Sequence, residues 1–70
     1  MSALNARILS AHAANDKKAL ADLYRQAARA AETLDSACFF ATQAYIFALE
    51  CNHELQIELF EFLKKHGREE

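Results

Sequence analysis

A chain of 70 residues buries only about 60% of the surface it exposes when unfolded, so the sequence holds one domain, residues 1–70, and no second core. Its 53% hydrophobic and 26% charged residues are the mix of a folding chain, while one glycine and no proline exclude glycine-rich phosphate loops and most of the turn chemistry that strands need. The net charge of −2 lacks the concentrated basic face that nucleic-acid binding requires, so no nucleic-acid partner is expected.

Apolar residues recur at helical spacing, broken by short polar residues that favour caps, which predicts four helices at about 3–14, 17–34, 36–51 and 53–66. Ser2 caps the first, which lines up Leu4, Ile8 and Ala11 on one face before Asn15 and Asp16 break it. The second sets Leu20, Leu23, Tyr24, Ala27, Ala31 and Leu34 on one side and Lys18, Asp22, Arg25 and Arg29 on the other. Asp35 is the expected N-cap of the third, whose run is apolar nearly all round, the mark of a central helix. Thr42, Gln43 and Glu50 interrupt that run, short of the roughly 20 apolar residues a bilayer span needs, so no membrane partner is expected.

Asn52 is the expected cap of the fourth helix, with Glu54 in its first turn, Lys64, Lys65 and His66 in its last, and Gly67 closing it. Leu55, Leu59, Phe62 and Leu63 form one face; Glu54, Glu58, Glu61 and Lys65 form the opposite one. Ile57 and Phe60 fit neither. Either they pack under the first helix or they are exposed and meet another chain, in which case they are the self-association residues.

The breaks near 16, 35 and 52 lie 19 and 17 residues apart, a period signal. Ala41, Tyr45 and Ala48 in the third helix follow a small-x3-aromatic-x2-Ala pattern, and Tyr24, Ala27, Ala28 and Ala31 supply aromatic and small positions in the second. On these residues, over about 17–53, the chain resembles the tetratricopeptide-repeat family of helical hairpins, with Ala where the family has Gly and Cys51-Asn52-His53 where it usually has a Pro-ended turn. The resemblance implies an all-α, four-helix antiparallel array of helical hairpins whose work is holding proteins or peptides. Repeat arrays usually need about three units, so it also implies self-association, as a homodimer, to complete the stack. In that array the basic stripe Lys18, Arg25 and Arg29 faces a partner, another protein or an acidic peptide, although a solvated face is the ordinary reading of such a stripe.

Catalytic chemistry finds little to work with. Cys38 sits beside Phe39 and Phe40, in apolar surroundings that raise a thiol's pKa, and the acids cluster on outward faces. No catalytic residue and no cofactor are expected, and the chain reads as a non-enzymatic interaction module. The alternative is a small metal- or redox-active protein using Glu50, Cys51 and His53, with Cys38 a helix away: Glu50-x-x-His53 has the spacing of helical carboxylate metal sites, but a closed centre needs four convergent ligands. Two cysteines inside apolar helical pattern, with no secretion-like leader pattern before them, read as reduced thiols in a cytoplasmic protein. Charge is uneven along the chain: residues 1–31 carry five cations against two acids, +3, and residues 32–70 carry three against eight, −5. Such asymmetry is expected to steer a partner or favour head-to-tail association, unless it is simply solvated.

Overall fold

The computed structural model describes residues 3–67. Four helices follow in order, α1 (Ala3–Ala13), α2 (Lys17–Ala30), α3 (Leu34–Glu50) and α4 (Leu55–Lys65), with no strand among the described residues. The turns after α1 and α3 use one device. Asn15 (φ 54°) and Asn52 (φ 53°) adopt the left-handed conformation, which asparagine tolerates better than most residues. After α1 the Asn15 and Asp16 amides donate back to the carbonyls of His12 and Ala11 at 3.1 and 3.0 Å. After α3 the Asn52 and His53 amides do the same to Leu49 and Ala48 at 3.4 and 2.8 Å. Each pair satisfies carbonyls that the helix end leaves without partners. The next residue then opens the following helix: Asp16 Oδ1 accepts from the Ala19 amide at 3.2 Å, and His53 Nδ1 accepts from the Leu55 amide at 3.0 Å. Gly67 (φ 72°) closes α4, its amide bonded to the Lys64 carbonyl at 3.0 Å, as its position predicts. The expected Ser2 cap lies outside the described residues.

Three expectations are corrected. The second helix stops at Ala30 instead of Leu34, and the cap of α3 is Thr33, not Asp35: Ala31 and Thr33 are extended, and Thr33 Oγ1 accepts from the Ser36 amide at 3.1 Å. Leu34 continues the apolar spacing of α2 but belongs to α3, and Asp35 sits in the first turn of α3, where its charge suits the helix dipole. Asn52 ends α3 instead of capping α4; the imidazole of His53 provides the capping acceptor. α2 packs against α1, α3 and α4, and α3, which packs against α2 and α4, also reaches α1 through the Phe47–His12 ring contact.

The reason lies in which residues α3 buries. Cys38, Ala41, Ala44 and Ala48 form its inner face, small residues that let α2 and α4 approach closely. Ala21 of α2 and Leu59 and Leu63 of α4 close on this seam, with Tyr24, Ala28, Tyr45, Phe47, Leu55 and Phe62 packed around it. A second cluster joins α1 to α2 through Ala11, Leu20 and Leu23, with Leu4 and Ile8. Tyr24 and Phe47 belong to both, their rings stacked at 5.9 Å, and His12 meets each edge-on at 5.8 Å while its Nε2 lies 2.9 Å from the Tyr24 hydroxyl. The helices zigzag into a slab of 31 × 28 × 13 Å, as thin as two helix layers stacked 8–10 Å apart.

Enlarging the seam is expected to be costly: Ala44→Leu, at a fully buried position, destabilises by about 1–3 kcal/mol through overpacking, read as a lower urea midpoint with unchanged slope. At the left-handed Asn52, Asn52→Ala lowers stability by about 1 kcal/mol while Asn52→Gly preserves it; equal loss in both would refute the backbone argument.

Candidate functional site

Two surfaces gather the residues singled out in the sequence. The first is a charged ridge where α2 meets α4. Lys18, Asp22, Arg25 and Arg29 recur at helical spacing along one side of α2, and the α3–α4 turn and α4 run beside it. Arg25 is not offered to a partner. Its guanidinium forms a forked pair with the Glu58 carboxylate, through Nε to Oε2 and through a terminal nitrogen to Oε1 at 3.0 Å. That bond is the main reason Glu58 is held below the ordinary glutamate value and Arg25 above the ordinary arginine value; desolvation opposes both shifts, and Arg29 adds a further charge beside Glu58. Arg29 remains exposed at the edge of a cleft of about 310 Å³ whose floor is Ala28, Ala41, Leu59 and Phe62. Lys18 is exposed too, further along the ridge beside the α3–α4 turn.

In that turn His53 is buried although it is polar. With Nδ1 accepting from the Leu55 amide, the proton of the neutral ring sits on Nε2, which lies 3.3 Å from Asp22 Oδ1 without the alignment of a hydrogen bond. Nδ1 is therefore taken by the backbone, Nε2 is left beside the Asp22 carboxylate without a hydrogen-bond partner, and no hydrogen bond among the described residues joins the ring to the neighbouring Cys51 thiol. That arrangement does not build a thiol–imidazole nucleophile. Nor do Glu50, Cys51 and His53 come together as ligands. Glu50 pairs with Lys17 at 3.8 Å, the Cys51 sulfur lies 4.0 Å from the Ala48 carbonyl, and no group of three or more His, Cys, Asp or Glu suited to a metal occurs among the described residues. Cys38 is buried in the seam, and both thiols are free.

The second surface is the outer face of the α3–α4 hairpin. Because the inner face of α3 is small, its large side chains point away: Phe39, Ile46 and Leu49 are 58%, 46% and 49% exposed. Ile57 on α4 is 69% exposed, so it does not pack under α1, which α4 does not touch. Phe60 is half-buried, its ring tilted against Tyr45 at 6.1 Å, and with Ile57, Gln56, Glu61 and Lys64 it lines a cleft of about 470 Å³. The Tyr45–Phe60 ring contact joins the two helices on this face. Sequence reasoning found Ile57 and Phe60 because they fit neither stripe of their helix; it missed Phe39, Ile46 and Leu49, since in a helix apolar all round only the position of the alanines marks the inner side.

Among the described residues no helix is long and apolar enough to cross a membrane. No family model matches the chain, and neither the curated proteins nor the solved structures compared with it give a match. The functional reading therefore rests on these two surfaces.

The Arg25–Glu58 pair has a pH signature. A carboxylate whose folded value is depressed stabilises the fold above the unfolded value, 4.5 for a glutamate, and loses that contribution as pH falls through the folded value. With Glu58 half exposed the effect is small, about 0.2–1 kcal/mol after solvent screening. Urea denaturation at pH 6 and pH 3 is expected to show Glu58→Gln less stable than the parent at pH 6 and nearly equal to it at pH 3; an unchanged difference would mean that the pair is not a strap.

Proposed function

We propose that the chain is a non-enzymatic protein–protein interaction module, a tetratricopeptide-repeat-like helical adapter that docks through the outer face of the α3–α4 hairpin and self-associates there. The observation that carries this reading is the set of large apolar side chains that α3 and α4 leave exposed: Phe39, Ile46, Leu49 and Ile57 together expose on the order of 400 Å², given roughly 200 Å² for each when free. Apolar exposure on that scale is what contact sites on small proteins use. The packing of consecutive hairpins through an alanine seam supports the repeat-like reading, as does the reuse of one turn device at Asn15–Asp16 and Asn52–His53. Lys18 and Arg29, the cations of the ridge left outside the internal pairing, are the residues we assign to an acidic peptide or protein partner. Two free thiols fit a reducing, cytoplasmic setting.

Light scattering across a hundredfold concentration range tests the docking face. The parent is expected to exceed the 7.9 kDa of one chain, while Ile46→Glu with Ile57→Glu returns it to that mass with helical circular dichroism unchanged. Both positions are exposed, so the substitutions leave the core alone, unlike Phe60→Glu, which would strip the ring from Tyr45. A parent and double variant of identical mass would remove the self-association from this reading.

A further inference from the structure

We infer that His53 is a proton-operated switch at the start of α4: a second proton on its ring releases the Leu55 amide and opens the first turn of the helix, while the charged imidazole turns to Asp22 on α2. The switch is independent of the docking face. It stands on one buried ring that serves two neighbours through nitrogens whose roles are linked.

An imidazole nitrogen accepts a hydrogen bond only while it carries no proton. Nδ1 of His53 accepts from the Leu55 amide at 3.0 Å, so the capped helix requires the neutral ring with its proton on Nε2. The Leu55 amide is one of the first in α4, which have no carbonyl within the helix to reach. Glu54, at the N-cap position, makes no side-chain capping bond, and its backbone is already helical at φ −63° and ψ −21°. A proton added to Nδ1 sets two donors, the ring N–H and the amide N–H, against each other at hydrogen-bond length, and one of them has to leave.

The other nitrogen shows where the charged ring goes. The His53 side chain is 6% exposed, and Nε2 has no hydrogen-bond partner although Asp22 Oδ1 lies 3.3 Å away. While Nδ1 holds the Leu55 amide, the ring leaves a buried donor unsatisfied beside a carboxylate. Protonation reverses that balance: the lost cap is offset by a charge-assisted bond to Asp22, which a small rotation of the freed ring aligns. The other groups around the ring do not compete for it. Lys18 from α2 and Glu54 from the turn are exposed and of opposite sign, and Cys51 lines the same cleft. Glu50 of α3 is paired with Lys17, and Glu58 of α4 with Arg25. Imidazoles change charge between about pH 5 and 8, above the ordinary carboxylate range, so mild acid is the signal.

Nitrogen NMR of the whole chain between pH 8 and pH 5 reads both sides of the switch. At pH 8 the His53 ring is expected to carry its proton on Nε2, with the Leu55 amide protected. As the ring takes its second proton, the Leu55 amide resonance is expected to move with the same midpoint, and its protection against hydrogen exchange to fall about tenfold relative to Leu59, further along α4. The chain has two other imidazoles, His12 and His66, and a His53→Asn variant sets them apart: its side-chain oxygen accepts from the Leu55 amide without titrating, so Leu55 is expected to stay protected down to pH 5. A ring that becomes charged with Leu55 still protected, a ring that stays neutral to pH 5, or a loss at Leu55 that persists in His53→Asn would each overturn the switch. Should that variant fail to fold, the parent decides alone, coincident midpoints of ring and amide supporting the switch and separate ones overturning it.

Discussion

The fold depends on one seam of small side chains. A buried stripe of Cys38, Ala41, Ala44 and Ala48 gives α3 almost no bulk on its inner side, so α2 and α4 close on it at the short spacing that alanine permits, with Leu59 and Leu63 as the large groups that fill the space. The same choice forces a consequence on the opposite side. A helix with small residues within and Phe39, Ile46 and Leu49 without cannot be shielded by its own hairpin. Close packing inside and apolar exposure outside are therefore one property of one helix.

Charge plays a comparable double part. Read along the chain, the positive first half and negative second half suggest a molecule with two poles. Folding the chain into hairpins cancels much of that polarity, because α2 carries the cations and lies beside the acids of α3 and α4: Lys17 against Glu50 and Arg25 against Glu58. Each exposed pair contributes little, about 1 kcal/mol or less. Together they still set which way α4 leans on α2, since a forked guanidinium–carboxylate contact fixes direction as well as distance.

Much of this was legible in the sequence, and what was not has specific causes. The four helices and the breaks at Asn15 and Asn52 follow from spacing and Gly67 from its closing position, whereas the left-handed turn by which Asn52 ends α3 instead of capping α4 did not show. The α2–α3 boundary was misplaced because Leu34 continues the apolar spacing of α2 and Asp35 is as good a capping residue as Thr33; the extended Ala31 and Thr33 between the helices leave no mark in composition. Hydrophobic content did not reveal that the strongly amphipathic α2 shares the centre with α3, each of the two touching the other three helices. Arg25 read as a free cation since its partner lies 33 residues away. Of the two residues that fit neither stripe of α4, Ile57 is exposed while Phe60 finds a place against Tyr45, a partner on another helix that spacing along α4 does not show.

The exposed face of α4 is only as well defined as the joint that holds the helix. α4 is held at three points: Leu59 and Leu63 in the seam, Glu58 on Arg25, and His53 beside Asp22 at the turn. The last of these is the most constrained, because one imidazole both opens α4 through the Leu55 amide and meets α2 through its other nitrogen. A residue that only capped the helix would not tie it to α2, and one that only paired with Asp22 would not set where α4 starts. With both tasks on one buried side chain, the start of α4 and its attitude to α2 are set together, and the position of Ile57 half a turn into the helix follows from them.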